Sequence, residues 1–178
     1  RWGGDTGGGG ACVRGWGRPG RGACRHVREG AAGRNVWYIQ APLVPYTGPS
    51  GEPKTKPTQH SVTELRSRGI LPDVIVCRSE APLSDNLKRK ISNLCDVDER
   101  AVVNAADAGN IYELPLILHD EGFDDVVCDV LRIDAPLDAS SWESLVETVE
   151  AATIPCRVGR IGQYVHRPDA YRSVVESL

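Results

Sequence analysis

The sequence contains no methionine, not even at position 1, where arginine stands, and its last residue, Leu178, lies inside a predicted helix. These features predict a piece of a longer chain. No apolar run approaches the roughly 20 residues that span a membrane. Residues 1–22 also lack the apolar segment of a signal peptide. We therefore expect a cytoplasmic protein without a membrane partner.

The cysteines form no Cys-X-X-Cys pair and show no regular spacing. This pattern argues against a structural zinc site and against a disulfide framework, and it favours buried, reduced thiols. The expectation covers all six cysteines: Cys12, Cys24, Cys77, Cys95, Cys128 and Cys156.

Charge is unevenly distributed along a chain whose net charge is −3. Residues 54–90 hold eight Lys or Arg against four Asp or Glu, whereas residues 96–151 hold fifteen acids and two arginines. A basic stretch followed by an acidic one is not typical of a nucleic-acid-binding surface. It favours a local anion site, and we expect no nucleic-acid partner.

Residues 1–22 differ in composition and pattern from the rest of the chain, because ten of the 22 are glycine and no helical or strand periodicity is visible. One interpretation is a flexible tail. The other is a segment that is not native coding sequence, such as an out-of-frame translation. Both interpretations stay open, and we treat residues 1–22 as a separate, non-native-looking segment.

Strand and helix patterns alternate from residue 35 onward. Apolar, β-branched runs predict buried strands at residues 35–44, 73–77 and 101–105. Apolar periodicity predicts helices at residues 58–69, 84–95, 112–121 and 123–131. Ser61 and Glu64 match a capping box for the first helix, and Gly69 matches its end. In the second, Leu87, Ile91 and Leu94 are expected to face inward. The alternation predicts an α/β fold with a parallel sheet.

A change of pattern follows residue 131. Residues 132–154 are predicted to form a linker that contains a short helix at 141–150, with Trp142, Leu145, Val146 and Val149 facing inward. Residues 156–165 resemble a strand, and 167–178 resemble a helix with Pro168 in its first turn. A second α/β domain is therefore expected to begin at residue 155.

The segment "KTKPTQHS" (residues 54–61) follows the first predicted strand and enters a helix. Loops at the carboxyl ends of parallel strands commonly bind ligands. A helix N-terminus offers unpaired backbone N–H groups and favours anions. The donors of Lys54, Thr55, Lys56, Thr58 and Gln59 therefore predict a phosphate site, although a solvated basic loop is the alternative.

Several further polar residues have two interpretations each. Arg78 directly follows a predicted strand, so it is placed to stack on a base or pair with phosphate, or else to bond Glu80 on the surface. Lys90 lies in a basic run that more often forms a solvated helix face. His60 is either a base or a hydrogen-bonded spectator, and His119 has no evident partner.

Taken together, the stretch "LVPYTGPSGEPKTKPTQHSVTELRSRGILPDVIVCRSE" closely resembles the CTP synthase family. The resemblance continues through "KRKISNLCDV", "AVVNAADAGNIYELPLILHDEG" and "GQYVHRPDAYRSVVESL", and it covers residues 23–178. The run "KTKPTQHS" is far more specific than a lone glycine motif.

This resemblance implies a fold, an activity and a set of sites. Residues 23–131 would be the C-terminal part of a P-loop-type amidoligase domain like dethiobiotin synthetase, 132–154 an interdomain linker, and 155–178 the start of a class I glutaminase domain. The complete enzyme, a homotetramer, would make CTP from UTP with ATP and glutamine-derived ammonia. The implied UTP/CTP site is Lys54, Thr55, Lys56, Pro57, Thr58, Gln59 and Lys90. The implied ATP site is Arg78, Ala106, Asp107 and Ala108.

The sequence departs from the family at several places. The family's P-loop, the carboxylates that hold Mg2+, and the glutaminase Cys, His and Glu have no counterparts in it, so catalytic and metal residues are expected elsewhere. This chain alone is expected to be inactive. Two alternatives stay open: a non-catalytic nucleotide-binding or regulatory module, and a related amidoligase with another substrate, which "KTKPTQHS" disfavours.

Overall fold

The computed structural model describes residues 36–48, 51–136 and 138–178. The chain divides into two compact units, Arg1–Val146 and Glu147–Leu178, which we treat separately. The expectations for residues 1–22, for Cys12 and for Cys24 lie outside the described residues.

A three-stranded parallel sheet forms the centre of the first unit. Strand β4 (Val74–Ser79) lies between β1 (Ile39–Gln40) and β5 (Val102–Ala106), so the order is β1-β4-β5. Ile39 pairs with Val74, and Ile75 pairs with Val102, both in parallel register. The predicted parallel sheet is therefore confirmed.

Strand β1 is shorter than the strand predicted at residues 35–44. Regular pairing covers two residues, and Leu43 makes one further isolated bridge to Arg78. Ile39 and Leu43 are exposed, so the expectation of a wholly buried strand was wrong. Pro42 stands between the paired segments, and a proline cannot donate a backbone hydrogen bond to the ladder.

The connection after β1 contains regular structure, although it is rich in glycine and proline. Strands β2 (Tyr46–Thr47) and β3 (Glu52–Pro53) pair in antiparallel register and form a short ribbon. Gly51 takes a positive φ of 60°, which glycine adopts without steric cost.

Five longer helices accompany this sheet in the described part of the chain, and three of them contribute residues to its core. The bounds of the five are α1 (Lys56–Ser67), α2 (Asp85–Cys95), α3 (Leu114–Asp120), α4 (Phe123–Leu131) and α5 (Ser140–Glu150). Short 3-10 turns at Glu99–Ala101 and Ile111–Glu113 precede β5 and α3. The core cluster joins Val62 of α1, Ile91 of α2 and Val126 of α4 to Val74, Ile75 and Val103 of the sheet.

Helix α1 begins two residues earlier than predicted. Its N-cap is Thr55, so Ser61 lies within the helix and the predicted Ser61–Glu64 capping box was wrong. The Ser61 hydroxyl instead accepts a hydrogen bond from the Gln40 amide at 2.8 Å. The end was predicted correctly, because Gly69 follows the helix with a φ of 79°.

The buried face of α2 consists of Ile91, Ser92 and Cys95, with Leu87 partly buried. Leu94, which was expected to face inward, is 54% exposed. Residues 87, 91 and 95 follow the i, i+4, i+8 row of a helix, and a small buried thiol takes the last place instead of a leucine.

The segment after α4 contains two further corrections. In α5, Val146 is buried, but Trp142, Leu145 and Val149 are exposed, so the predicted inward face was wrong for three of its four members. In the second unit, the predicted strand at 156–165 is absent, and these residues are irregular or in turns. A 3-10 turn (Pro168–Tyr171) and α6 (Arg172–Glu176) form the predicted C-terminal helical segment, with Pro168 in its first turn.

The four described cysteines are free thiols. Cys77 and Cys95 are buried as expected, Cys128 is half-buried, and Cys156 is exposed, which contradicts the expectation for that residue. Burial raises the pKa of Cys77 to about 12, and burial also raises the pKa of Cys95. Thiolate, the reactive form, is therefore suppressed at both buried positions.

We predict that a thiol reagent at pH 8 will modify Cys156 long before Cys77, because Cys77 is both enclosed and protonated. Peptide mass spectrometry at increasing reaction times would measure the two rates, and unfolding in denaturant should abolish the difference. Equal rates for the two thiols in the folded protein would contradict the buried position of Cys77.

His119 has a partner that the sequence did not reveal. Its Nδ1 atom bonds the Asp124 carboxylate across the junction of α3 and α4. This hydrogen bond, reinforced by the charges of Asp124, Asp120 and Asp125, raises the pKa of His119. Because the folded pKa lies above the unfolded value of about 6.5, the pair stabilises the fold fully below that value. The contribution disappears as pH rises through the folded pKa.

We predict that Asp124→Asn will lower the His119 pKa and remove this pH-dependent contribution to stability. Nuclear magnetic resonance titration of the imidazole would measure the pKa. Asp129→Asn is the matched control, because Asp129 lies on the same helix but bonds Arg100. A His119 pKa that is unchanged by Asp124→Asn would contradict the pairing.

Candidate functional site

The carboxyl edge of the sheet brings three chain segments side by side. Arg78 of β4 bridges Leu43 on one side and pairs with Ala105 of β5 on the other. Its backbone N–H donates to Pro42 O at 2.9 Å, and its carbonyl accepts from Val44 N at 2.8 Å. The segment that leads into "KTKPTQHS" and the end of β5 therefore both lie next to Arg78.

The β2–β3 ribbon is attached to this edge. The Tyr46 hydroxyl donates to Ala81 O at 3.1 Å, which joins the ribbon to the loop that follows β4. Lys54 N donates to Pro45 O at 2.8 Å and so extends the ribbon's ladder by one further bond. The backbone that carries the basic residues is thus fixed from both sides before α1 begins.

The N-terminus of α1 has the character expected of an anion site. No side chain caps it, and its first turn contains no acidic residue. Pro57 occupies the first turn, where the missing N–H costs no helical hydrogen bond. The partial positive charge of this helix end is therefore not offset by a carboxylate of the helix itself.

The predicted phosphate donors are not equally available. Thr58 is fully buried, and its hydroxyl donates to Leu43 O at 3.0 Å. Thr55 is also buried, and its hydroxyl accepts from the Gln59 amide at 3.0 Å. Thr58 therefore ties the start of α1 to the sheet edge, and the bond between Gln59 and Thr55 lies within the helix start itself. Lys56 and Pro57 are exposed.

The carboxylate of Glu52 bonds Lys54 and also feels the charge of Lys90. The Lys54 ammonium bonds Glu52 Oε2 at 2.5 Å. The hydrogen bond from Lys54 and its charge lower the pKa of Glu52, and the charge of Lys90 lowers it further. The charge of Lys90, 36 residues after Lys54 in the sequence, therefore acts on the same carboxylate. The sequence analysis missed Glu52, although its position two residues before Lys54 was a usable signal.

Residues 106–108, named from the resemblance, also lie at this edge. Ala106 ends β5 and pairs with Ser79, and Asp107 N donates to Ser79 O at 2.9 Å. Arg78, one residue before Ser79, is exposed and stands beside this backbone. The predicted ATP residues are thus neighbours. The alternative interpretation was that Arg78 bonds Glu80 on the surface, and within the described residues no ion pair joins these two side chains.

Asn104 is a residue that the sequence analysis missed. It is 2% exposed, and its side-chain oxygen accepts from Leu83 N at 2.8 Å. Its amide donates to Cys77 O at 3.0 Å and to Ser79 Oγ at 2.7 Å. One side chain therefore joins β5, β4 and the loop after β4. A lone polar residue within the apolar run "AVVNA" was the available signal, because buried polar groups require partners.

A second connection reaches Asn104 from the opposite side. Its backbone N–H donates to Glu121 Oε2 at 2.8 Å, and Lys88 Nζ lies 2.8 and 2.6 Å from the two Glu121 oxygens. This half-buried ion pair ties α2 to the outer side of β5. Lys88 is therefore a structural residue, unlike Lys90 two positions later.

His60 is exposed on α1. Among the described residues, no group of three or more His, Cys, Asp or Glu side chains is arranged to hold a metal ion. Nor does any helix in this part of the chain combine the length and the apolar character needed to traverse a bilayer.

The architecture is that of an α/β protein with a basic cluster at the carboxyl edge of a parallel sheet. Residues 17–133 match the family model described as CTP synthase N-terminus. The chain therefore belongs to the CTP synthase family, which confirms the resemblance found in the sequence.

Curated relatives support the membership of this chain in the CTP synthase family. A CTP synthase from Bacillus cytotoxicus is 46% identical over 157 residues, which are 88% of this chain and 29% of the relative. One from Clostridium beijerinckii is 47% identical over 86% of the chain and 29% of its own length. One from Acidothermus cellulolyticus is 46% identical over 88% of this chain and 28% of its own length. The chain thus spans less than a third of the length of these relatives.

We predict that Asn104→Ala will lower the free energy of unfolding by about 2–4 kcal/mol, because it leaves Leu83 N buried without its partner and removes the bonds to Cys77 O and Ser79 Oγ. Urea denaturation would measure the loss. Ser92→Ala is the matched control, because it removes one buried bond, to Val97 O, away from this edge. A loss for Asn104→Ala no larger than that for Ser92→Ala would contradict the network.

Proposed function

We propose that this chain is part of an enzyme that makes CTP from UTP, with ATP and ammonia derived from glutamine. Residues 23–131 contribute to an amidoligase domain of the P-loop, dethiobiotin-synthetase-like type. Residues 132–154 form a linker, and residues 155–178 begin a class I glutaminase domain. The complete enzyme is a homotetramer. Support comes from the family and from relatives that are named CTP synthase.

The basic cluster, which consists of Lys54, Lys56 and Lys90, binds the triphosphate of UTP, or of CTP as product. The observation that carries this assignment is the Lys54 ammonium, which bonds Glu52 directly before the acid-free start of α1. Lys54, Lys56 and Lys90 supply the charge. Thr55, Thr58 and Gln59 hold the helix start in place, and Pro57 pre-forms its first turn.

The neighbouring edge holds ATP. Arg78 offers a planar guanidinium that stacks on a base or forks to an anion. The backbone of Ala106, Asp107 and Ala108 offers polar groups beside it, fixed by the bond from Asp107 N to Ser79 O. The Asn104 amide also donates to Ser79 Oγ and so strengthens this edge.

The proposed chemistry places two triphosphates close together. UTP O4 attacks the γ-phosphorus of ATP and displaces ADP, and ammonia then attacks C4 and expels phosphate. The lysines reduce repulsion between the anions during transfer. Mg2+ would also neutralise charge, but the described residues offer no cluster for it, so we assign it no ligands in this part of the chain.

Measurements of nucleotide binding and turnover would distinguish this proposal from two alternatives. If the chain is a binding or regulatory module, it should bind UTP or CTP without belonging to a protein that turns them over. If it is an amidoligase for another substrate, UTP should fail to bind. We expect the 178-residue chain to bind UTP and CTP weakly and to show no turnover.

We predict that Lys54→Ala or Lys56→Ala, in a full-length enzyme carrying this chain, will strongly reduce CTP synthesis and largely spare glutamine hydrolysis. Each ammonium forms charge-assisted hydrogen bonds to phosphate, which are worth about 1.5–3 kcal/mol or roughly 10- to 150-fold. Gln59→Ala should be milder, because it removes a neutral amide. Steady-state kinetics with ammonia in place of glutamine would isolate the synthetase step.

Arg89→Ala is the matched control for Lys90→Ala, since both residues are exposed on α2 and Arg89 bonds Glu99 instead. The control should leave the KM for UTP unchanged, and Lys90→Ala should raise it. Wild-type kcat/KM for UTP in both the Lys54 and the Lys56 variant would show that the cluster is not the nucleotide site.

A further inference from the structure

Glu52 and Lys54 lie on the same face of the β2–β3 ribbon. Side chains two residues apart in an extended strand point the same way, and the bond from Lys54 N to Pro45 O keeps this segment in the ladder. The Thr47 hydroxyl also donates to Glu52 O at 3.3 Å. The backbone thus aligns the carboxylate with the ammonium that it bonds.

A carboxylate is an unexpected member of a cluster that binds phosphate. It offsets part of the charge of Lys54 and Lys90, and both lysines lower its pKa, with Lys54 dominant. The start of α1 has no acidic residue of its own, so Glu52 supplies negative charge that the helix end lacks. A phosphate oxygen would be attracted by the same groups that Glu52 contacts.

We propose that Glu52 is a counter-ion that holds the Lys54 ammonium while the site is empty and that an incoming triphosphate must displace. This inference rests on the proposed function of the basic cluster. Glu52 acts through Lys54 and does not contact the reacting atoms. It orients the lysine in advance, and it limits the affinity of the site for phosphate.

The exposure of the pair makes such an exchange possible. The Lys54 and Glu52 side chains are 43% and 64% exposed. Exposed ion pairs are weak, so a ligand with several charges can replace one carboxylate. After replacement, Glu52 remains beside the bound anion and repels it. Removing its charge should therefore strengthen triphosphate binding rather than weaken it.

The test uses the 178-residue chain, with inorganic tripolyphosphate and UTP as probes in isothermal titration calorimetry at low salt. Glu52→Gln should tighten binding of both probes about two- to fivefold. Glu64→Gln is the matched control, because it removes the same unit of charge. Its carboxylate bonds Arg68 at the far end of α1, and it should leave both affinities unchanged.

A double-mutant cycle tests whether the effect passes through Lys54. Lys54→Ala should weaken the binding of both probes. Adding Glu52→Gln to the Lys54→Ala variant should raise the affinity much less than Glu52→Gln raises it in the wild-type protein. The inference is overturned if Glu52→Gln leaves binding unchanged or weakens it, or if it tightens binding equally without Lys54. Thermal unfolding of each variant would check that the fold is intact.

The outcomes separate this inference from the function on which it rests. If Lys54→Ala weakens binding but Glu52→Gln changes nothing, the basic cluster stands and the counter-ion role is wrong. If the wild-type protein binds neither probe, the phosphate-binding role of the basic cluster and the counter-ion role of Glu52 are both wrong, and the Glu52–Lys54 pair is only a surface salt bridge.

Discussion

The parallel pairing of β4 with both of its neighbours is the constraint on which the rest of the structure depends. Parallel strands run in one direction, so the ends of β1, β4 and β5 meet at one edge. Val74, Ile75 and Cys77 are wholly buried, and burial of such side chains supplies most of the stabilisation of a small core. Residues that are far apart in sequence become neighbours because of this pairing alone.

Local pattern was sufficient to predict the elements that form the core. Strands β4 and β5 and helices α2 and α4 lie where apolar runs and periodicity placed them, because their patterns are long and agree with their burial. Prediction failed where one residue or the tertiary contacts decided the outcome. Pro42 interrupts β1, and α1 begins at Lys56, where the Thr58 hydroxyl bonds Leu43 O. The apolar residues of the segment 156–165 are compatible with a strand, but no strand forms there.

The candidate site was predicted in outline only. A specific run of residues located the basic loop, a strand end located Arg78, and Ala106 was named only from the family resemblance. The partners of these groups were not predictable, because hydrogen bonds such as those from Thr58 to Leu43 and from Asn104 to Cys77 depend on tertiary pairing. Consequently the sequence overestimated how many hydroxyls and amides are available to a ligand, and it missed the carboxylate of Glu52.

The alternation at the end of β4, from Cys77 to Ser79, has a consequence for how this protein tolerates change in chain length. Cys77 is buried, Arg78 is exposed and Ser79 is buried again, in register with residues 104–106 of β5. Deleting a single residue within β4 would invert this order, because a strand repeats every two residues. The guanidinium would then enter the core and the thiol would reach solvent. Evolution of this segment is thus free to exchange side chains but not to alter the number of residues.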